Sequence, residues 1–88
     1  MVQKELEIRN KLGLHARAAA KFVRCASQFK CEIQVGKDAM TVNGKSIIGV
    51  LLLAAPQGSH ILVNADGSDE EEALAALGQL VATRFGEE

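Results

Sequence analysis

The chain has no tryptophan or tyrosine and only three phenylalanines in 88 residues. This scarcity argues against readers of RNA or single strands, which stack bases on exposed aromatic rings. It also makes any core aliphatic. Nor is there a strong net charge: the formal value is −1. That figure covers an uneven distribution. Through residue 65 there are nine Lys/Arg against four Asp/Glu, whereas from Asp66 onward seven acids face Arg84 alone. The basic part has no dense run and no nucleic-acid reading motif. It suits a transient encounter with an acidic protein surface, and no nucleic acid is expected as a partner. Long hydrophobic runs are missing too. Ile47 to Ala55 is too short to span a bilayer, and Met1-Val2-Gln3-Lys4-Glu5-Leu6-Glu7 has no apolar signal segment. A cytoplasmic protein without membrane insertion is expected. The two cysteines, Cys25 and Cys31, match neither CxxC nor zinc-site spacing and read as small buried apolar side chains. No metal or other cofactor is expected.

What is present fits one domain over residues 1–88, because a hydrophobic fraction of 48% fills one two-layer core in a chain of this length. Val2, Leu6 and Ile8 alternate with Gln3, Glu5, Glu7 and Arg9, the period of a strand wetted on one face. Asn10 to Gly13 reads as a turn. Ala19, Phe22, Val23 and Ala26 then recur at helical spacing over residues 16 to about 27, with Arg17, Lys21 and Arg24 on the polar side. Cys31, Ile33 and Val35 mark a second strand, Gly36-Lys37-Asp38 a hairpin turn, and Met40 to Val42 a third strand. Ser46 is a good N-cap for a short helix through about Leu53, which Pro56-Gln57-Gly58 ends. Ile61, Val63 and Ala65 form the inward set of a fourth strand. Ser68 and Glu71 have the spacing of a capping box, opening a last helix whose stripe is Leu74, Leu77, Val81 and Phe85. The order β-α-β-β-α-β-α, with polar outer strand faces, predicts an α+β open-faced β-sandwich. Right-handed crossovers give a four-stranded antiparallel sheet of order 1-4-2-3 with three helices on one face.

The most informative short segment is Gly13-Leu14-His15-Ala16-Arg17, where a turn hands over to a helix. The first helical turn leaves amide donors without partners, and the peptide dipoles add partial positive charge there. An anion at that end is stabilised. A phosphoryl group on the His15 ring could reach the amides of Ala16 and Arg17, and the Arg17 guanidinium could add charge-assisted hydrogen bonds. The same positive end should keep the imidazole neutral and nucleophilic. By composition alone, His15 reads more readily as a surface residue capping a helix. Likewise, Arg17, Lys21 and Arg24 read as an ordinary solvated face. His60 reads as a surface histidine at the start of a strand.

Together with Asn43-Gly44-Lys45-Ser46-Ile47-Ile48-Gly49-Val50, the His15 segment resembles the two signature stretches of the HPr family. These are the histidine-containing phosphocarriers of the bacterial phosphoenolpyruvate-dependent sugar phosphotransferase system. The resemblance spans essentially the whole chain and implies the same open-faced fold. It implies that His15 takes a phosphoryl group through Nδ1 from the first enzyme of the system, assisted by Arg17, and gives it to sugar-specific second enzymes. The protein would then be a stoichiometric carrier, not an enzyme, and is expected to be a monomer. Ala18 stands where the family usually has proline, which loosens the first helical turn slightly.

The resemblance further implies that Ser46 is a regulatory phosphorylation site where a kinase and phosphatase for it exist. Capping alone explains this serine equally well. The helix after Ser46 is apolar all round. Ile47, Ile48, Leu51 and Leu52 share one arc and Val50, Leu53 and Ala54 the other, and a short helix on a sheet cannot bury both. The resemblance places the first arc outside and the second in the core, so partner docking is expected at Ala20, Arg24, Ile47, Ile48, Leu51 and Leu52. Two other functions remain open: a carrier in the nitrogen-related regulatory branch, and a regulatory binding module acting through Ser46 and the Ile47/Leu51 patch.

Overall fold

A computed structural model describes residues 1–87. The elements are β1 (Val2–Glu7), α1 (Ala16–Ala26), β2 (Glu32–Lys37), β3 (Met40–Asn43), α2 (Ile47–Leu52), β4 (His60–Asp66) and α3 (Glu70–Ala82), followed by a 3-10 turn at Arg84–Gly86. The strands form one antiparallel sheet in the order β1-β4-β2-β3, the arrangement expected from the pattern.

Register explains why the sheet has one dry face. Leu6 lies opposite Ile61, Ile33 opposite Ala65 and Val35 opposite Val63, and all six are buried. Their neighbours along each strand, such as Glu5, Leu62 and Gln34, are exposed on the other face. The helices cover the dry face. Phe22 and Ala26 of α1, Val50 of α2, and Leu74, Leu77 and Val81 of α3 are buried with Ile8 and the strand residues in the same core. No helix among the described residues is long and apolar enough to cross a membrane.

Several boundaries depart from the sequence reading. The hairpin closes at the Lys37–Met40 pair, so its turn is Asp38-Ala39 and not Gly36-Lys37-Asp38. Asp38 takes a left-handed conformation (φ 55°), which a short polar side chain tolerates. Ala54 is exposed, not in the core: α2 ends at Leu52 and Ala54 has φ 49°, which swings the chain out before Ala55 returns inside. Cys31 is buried, but Cys25 is only partly so; burial pushes both free thiols up from their usual values.

The capping box at Ser68 and Glu71 is not formed. Asp69 is the N-cap residue, and its carboxylate instead accepts from the amides of Lys30 (2.8 Å) and Cys31 (3.0 Å). Glu70, not Glu71, reaches back, accepting from the Gly67 amide at 3.0 Å. The last helix also stops earlier than its stripe implied. Phe85 is buried at 1% exposure, yet it lies beyond α3 in the 3-10 turn. Arg84, Phe85 and Gly86 have φ of 58°, 55° and 73°, so three successive left-handed residues curl the chain back toward α1.

Candidate functional site

Gly13 sets the approach to the site. It has φ 68°, and a Cβ built there would stand 2.5 Å from the Ala55 carbonyl oxygen and 2.9 Å from Pro56 Cα. Only glycine allows this close passage. The Leu14 amide then donates to that Ala55 carbonyl at 2.9 Å, and the His15 amide donates to the Gly13 carbonyl at 2.9 Å.

His15 is the N-cap residue of α1, with extended backbone (φ −75°, ψ 178°). Its side chain does not cap the helix, so the ring is left for other contacts. The first helical hydrogen bond runs from the Ala19 amide to the His15 carbonyl at 2.8 Å, and the amides of Ala16, Arg17 and Ala18 precede it in the first turn. Ala18 is fully buried and keeps an amide proton that proline would lack. The first turn of α1 contains no acid. Arg17 is exposed and enters no ion pair among the described residues.

The His15 side chain is about one-quarter exposed, and its Nε2 lies 2.6 Å from Oε2 of Glu87. The other oxygen, Oε1, accepts from Asn10 Nδ2 at 3.0 Å. Asn10 is fully buried and also donates from Nδ2 to the Gly13 carbonyl at 2.8 Å. Burial pushes the Glu87 carboxyl upward, but hydrogen bonds from His15 and Asn10 and the nearby charges of His15 and Lys21 outweigh it. The net result lies below the ordinary glutamate value. Lys21, read from sequence as part of a solvated face, is half-buried and donates from Nζ to the Phe85 carbonyl at 2.7 Å. Asn10, Lys21 and Glu87 are therefore members of the site that the sequence reading missed. Their partners lie 64 to 77 residues away along the chain, beyond any local pattern.

Ser46 caps α2, its Oγ accepting from the Gly49 amide at 3.1 Å. On the arc assigned to docking, Ile47, Ile48 and Leu52 are exposed at 44%, 73% and 62%, whereas Leu51 is partly buried and packed on the core. Val50 and Leu53 point inward. Helices α1 and α2 are in contact, with Ala20 half-buried and Arg24 exposed on α1. Leu12, in the turn just before His15, is a further exposed apolar side chain that the sequence reading passed over as part of a turn. His60 is exposed at the start of β4, as expected.

A family model described as PTS HPr component phosphorylation site matches residues 2–83. The phosphocarrier protein HPr of Neisseria meningitidis serogroup A is 53% identical over 99% of this chain and 98% of its own length. The crystal structure of HPr-C-His from Thermoanaerobacter tengcongensis superposes with a TM-score of 0.96 at 50% identity, covering 100% of this chain and 99% of that one. A crystal structure described as an HPr dimer from the same organism gives 0.80 at 49% identity, covering 99% and 100%.

Proposed function

Because this chain belongs to the HPr family of phosphocarriers, we propose that His15 accepts a phosphoryl group from the first enzyme of the sugar phosphotransferase system and passes it to sugar-specific second enzymes. The observation that carries this reading is the placement of His15. Its backbone begins α1, its ring is free of capping duty, and the amides of Ala16, Arg17 and Ala18 follow it directly in the first turn. Phosphoryl transfer asks a protein mainly for position and charge stabilisation. The helix N-terminus and Arg17 supply both, so the chain acts as a stoichiometric carrier between cytoplasmic enzymes. Ile47, Ile48 and Leu52, with Leu51 beneath them and Ala20 and Arg24 on the neighbouring helix, offer the partners an apolar surface with a basic rim. Surfaces of that kind suit brief, repeated docking.

Ser46 stands at the edge of this patch. A phosphate there would keep the cap but bring negative charge against an acidic partner, and in that way regulate docking. The experiment for the central reading is incubation with phosphoenolpyruvate and a first enzyme, followed by intact mass. The wild type gains one acid-labile phosphoryl group. His15→Ala gains none while keeping its fold, and Arg17→Ala gains it more slowly. Continued acid-labile labelling of His15→Ala would show that His15 is not the acceptor.

A further inference from the structure

The ring of His15 has two nitrogens, and the chain commits one of them. An ionised carboxylate can only accept hydrogen bonds. With Glu87 Oε2 at 2.6 Å, Nε2 carries a proton and donates it; a neutral ring then has its lone pair on Nδ1. The distance is that of a charge-assisted bond. Glu87 is not a loose end. Asn10 Nδ2 holds its second oxygen and at the same time holds the Gly13 carbonyl, which also receives the His15 amide. Phe85 is anchored in the core, Lys21 grips the Phe85 carbonyl, and the Glu87 amide donates to the Arg84 carbonyl at 2.9 Å.

We infer that Glu87 is a positioning residue for phosphoryl transfer at His15: held by Asn10, its carboxylate fixes the ring proton on Nε2, presents Nδ1 as the nucleophile, and retains that proton while Nδ1 carries the phosphoryl group. The inference rests on the reading of His15 as the acceptor. In the forward step the Nδ1 lone pair attacks phosphorus. The Nδ1–P bond forms, the bond from phosphorus to the donor breaks, and that electron pair leaves with the donor. The ring becomes a phosphoimidazolium, its positive charge facing Glu87 across Nε2–H. In onward transfer the Nδ1–P bond breaks and its electron pair returns to Nδ1, giving neutral imidazole with the Nε2 proton never having moved. Were Nε2 to lose that proton, the leaving group would be an imidazolate and transfer would stall. Glu87 faces this proton at the ring nitrogen remote from phosphorus. The other charged group acting on Glu87 is Lys21, from α1.

The test compares wild type with Glu87→Gln, which keeps an acceptor oxygen and removes the charge. Both are charged chemically with phosphoramidate, and phosphohistidine decay is followed by phosphorus NMR between about pH 6 and pH 10, a window running upward from near the ordinary imidazole value. The rates should coincide at the acid end, where the ring is protonated in both proteins. Near pH 8 the variant should decay about fivefold more slowly, as befits exchanging a charge-assisted bond for a neutral one. In the uncharged wild type, nitrogen NMR should show protonation at Nε2 with a slowly exchanging proton, and Glu87→Ala should lose that slow exchange. Superimposable profiles, or a uniform change at every pH, would overturn the inference. Failure of the wild type to be charged at His15 would instead overturn the carrier reading beneath it.

Discussion

Replacing Phe85 with alanine tests whether the C-terminal turn is a structural anchor. The side chain is 1% exposed and belongs to the core cluster, although its backbone is left-handed. A left-handed φ costs a residue with a Cβ about 1–2 kcal/mol. Alanine also has a Cβ, so that strain persists in the variant and cannot offset the loss. What changes is burial and cavity. Phe→Ala in a packed core costs about 3–5 kcal/mol. A domain of this size has a total of about 5–15 kcal/mol, so the variant forfeits a large share of its stability. At roughly 4–8 °C per kcal/mol for chains of 60–100 residues, melting should fall by about 12–40 °C. With no Trp or Tyr to report by fluorescence, urea and thermal unfolding are followed by circular dichroism. Phe85→Leu fills most of the space and should lose only about 1 kcal/mol. A loss below about 1 kcal/mol for Phe85→Ala would refute the anchoring role. It would also remove the reason why Glu87 is held at His15.

Three other substitutions address the two N-cap residues Asp69 and Ser46. Asp69 has its carboxyl held below the usual range by the hydrogen bond from the Lys30 amide, with burial opposing it and the Cys31 amide assisting. A depressed folded value gives stability that is present above the unfolded value, about pH 4, and is lost as pH falls through the folded one. Asp69→Asn should therefore flatten the pH dependence of melting below about pH 4, and an unchanged acid slope would count against the assignment. Ser46→Ala removes the Oγ acceptor for the Gly49 amide and should cost about 1 kcal/mol without slowing phosphoryl acceptance. Ser46→Asp retains a capping acceptor but adds charge, so it should weaken transfer from the first enzyme at nearly native stability; wild-type transfer kinetics would remove the regulatory reading.

Features set by local periodicity were legible in the residues. Alternation in β1 and β4 and the spacing of Ala19, Phe22 and Ala26 each declare a buried face over a few residues. Those faces, with the handedness of crossovers, were enough to order the sheet. At the start of the last helix the reading failed because a distant partner had settled the matter. Ser68 and Glu71 have the spacing of a capping box, but Asp69 is drawn to amides 38 and 39 residues away, and the helix starts around it. The stripe through Phe85 correctly marks a buried ring but not the left-handed turn that delivers it, because burial says nothing about backbone path.

The charge asymmetry was visible in the sequence, but its consequence was not. Among the described residues, three of the acids after Asp66 are engaged in separate contacts. Glu70 pairs with the terminal amine of Met1 at 3.2 Å, Asp69 closes the connection between α1 and β2, and Glu87 closes on His15. Each binds a donor from the first half of the chain, so the last acidic stretch ties together elements that the local patterns leave separate. His15 shows the result most clearly. Its neighbours in sequence supply the helix amides and Arg17 for an anion, while a residue 72 positions away determines which ring nitrogen is free to receive it.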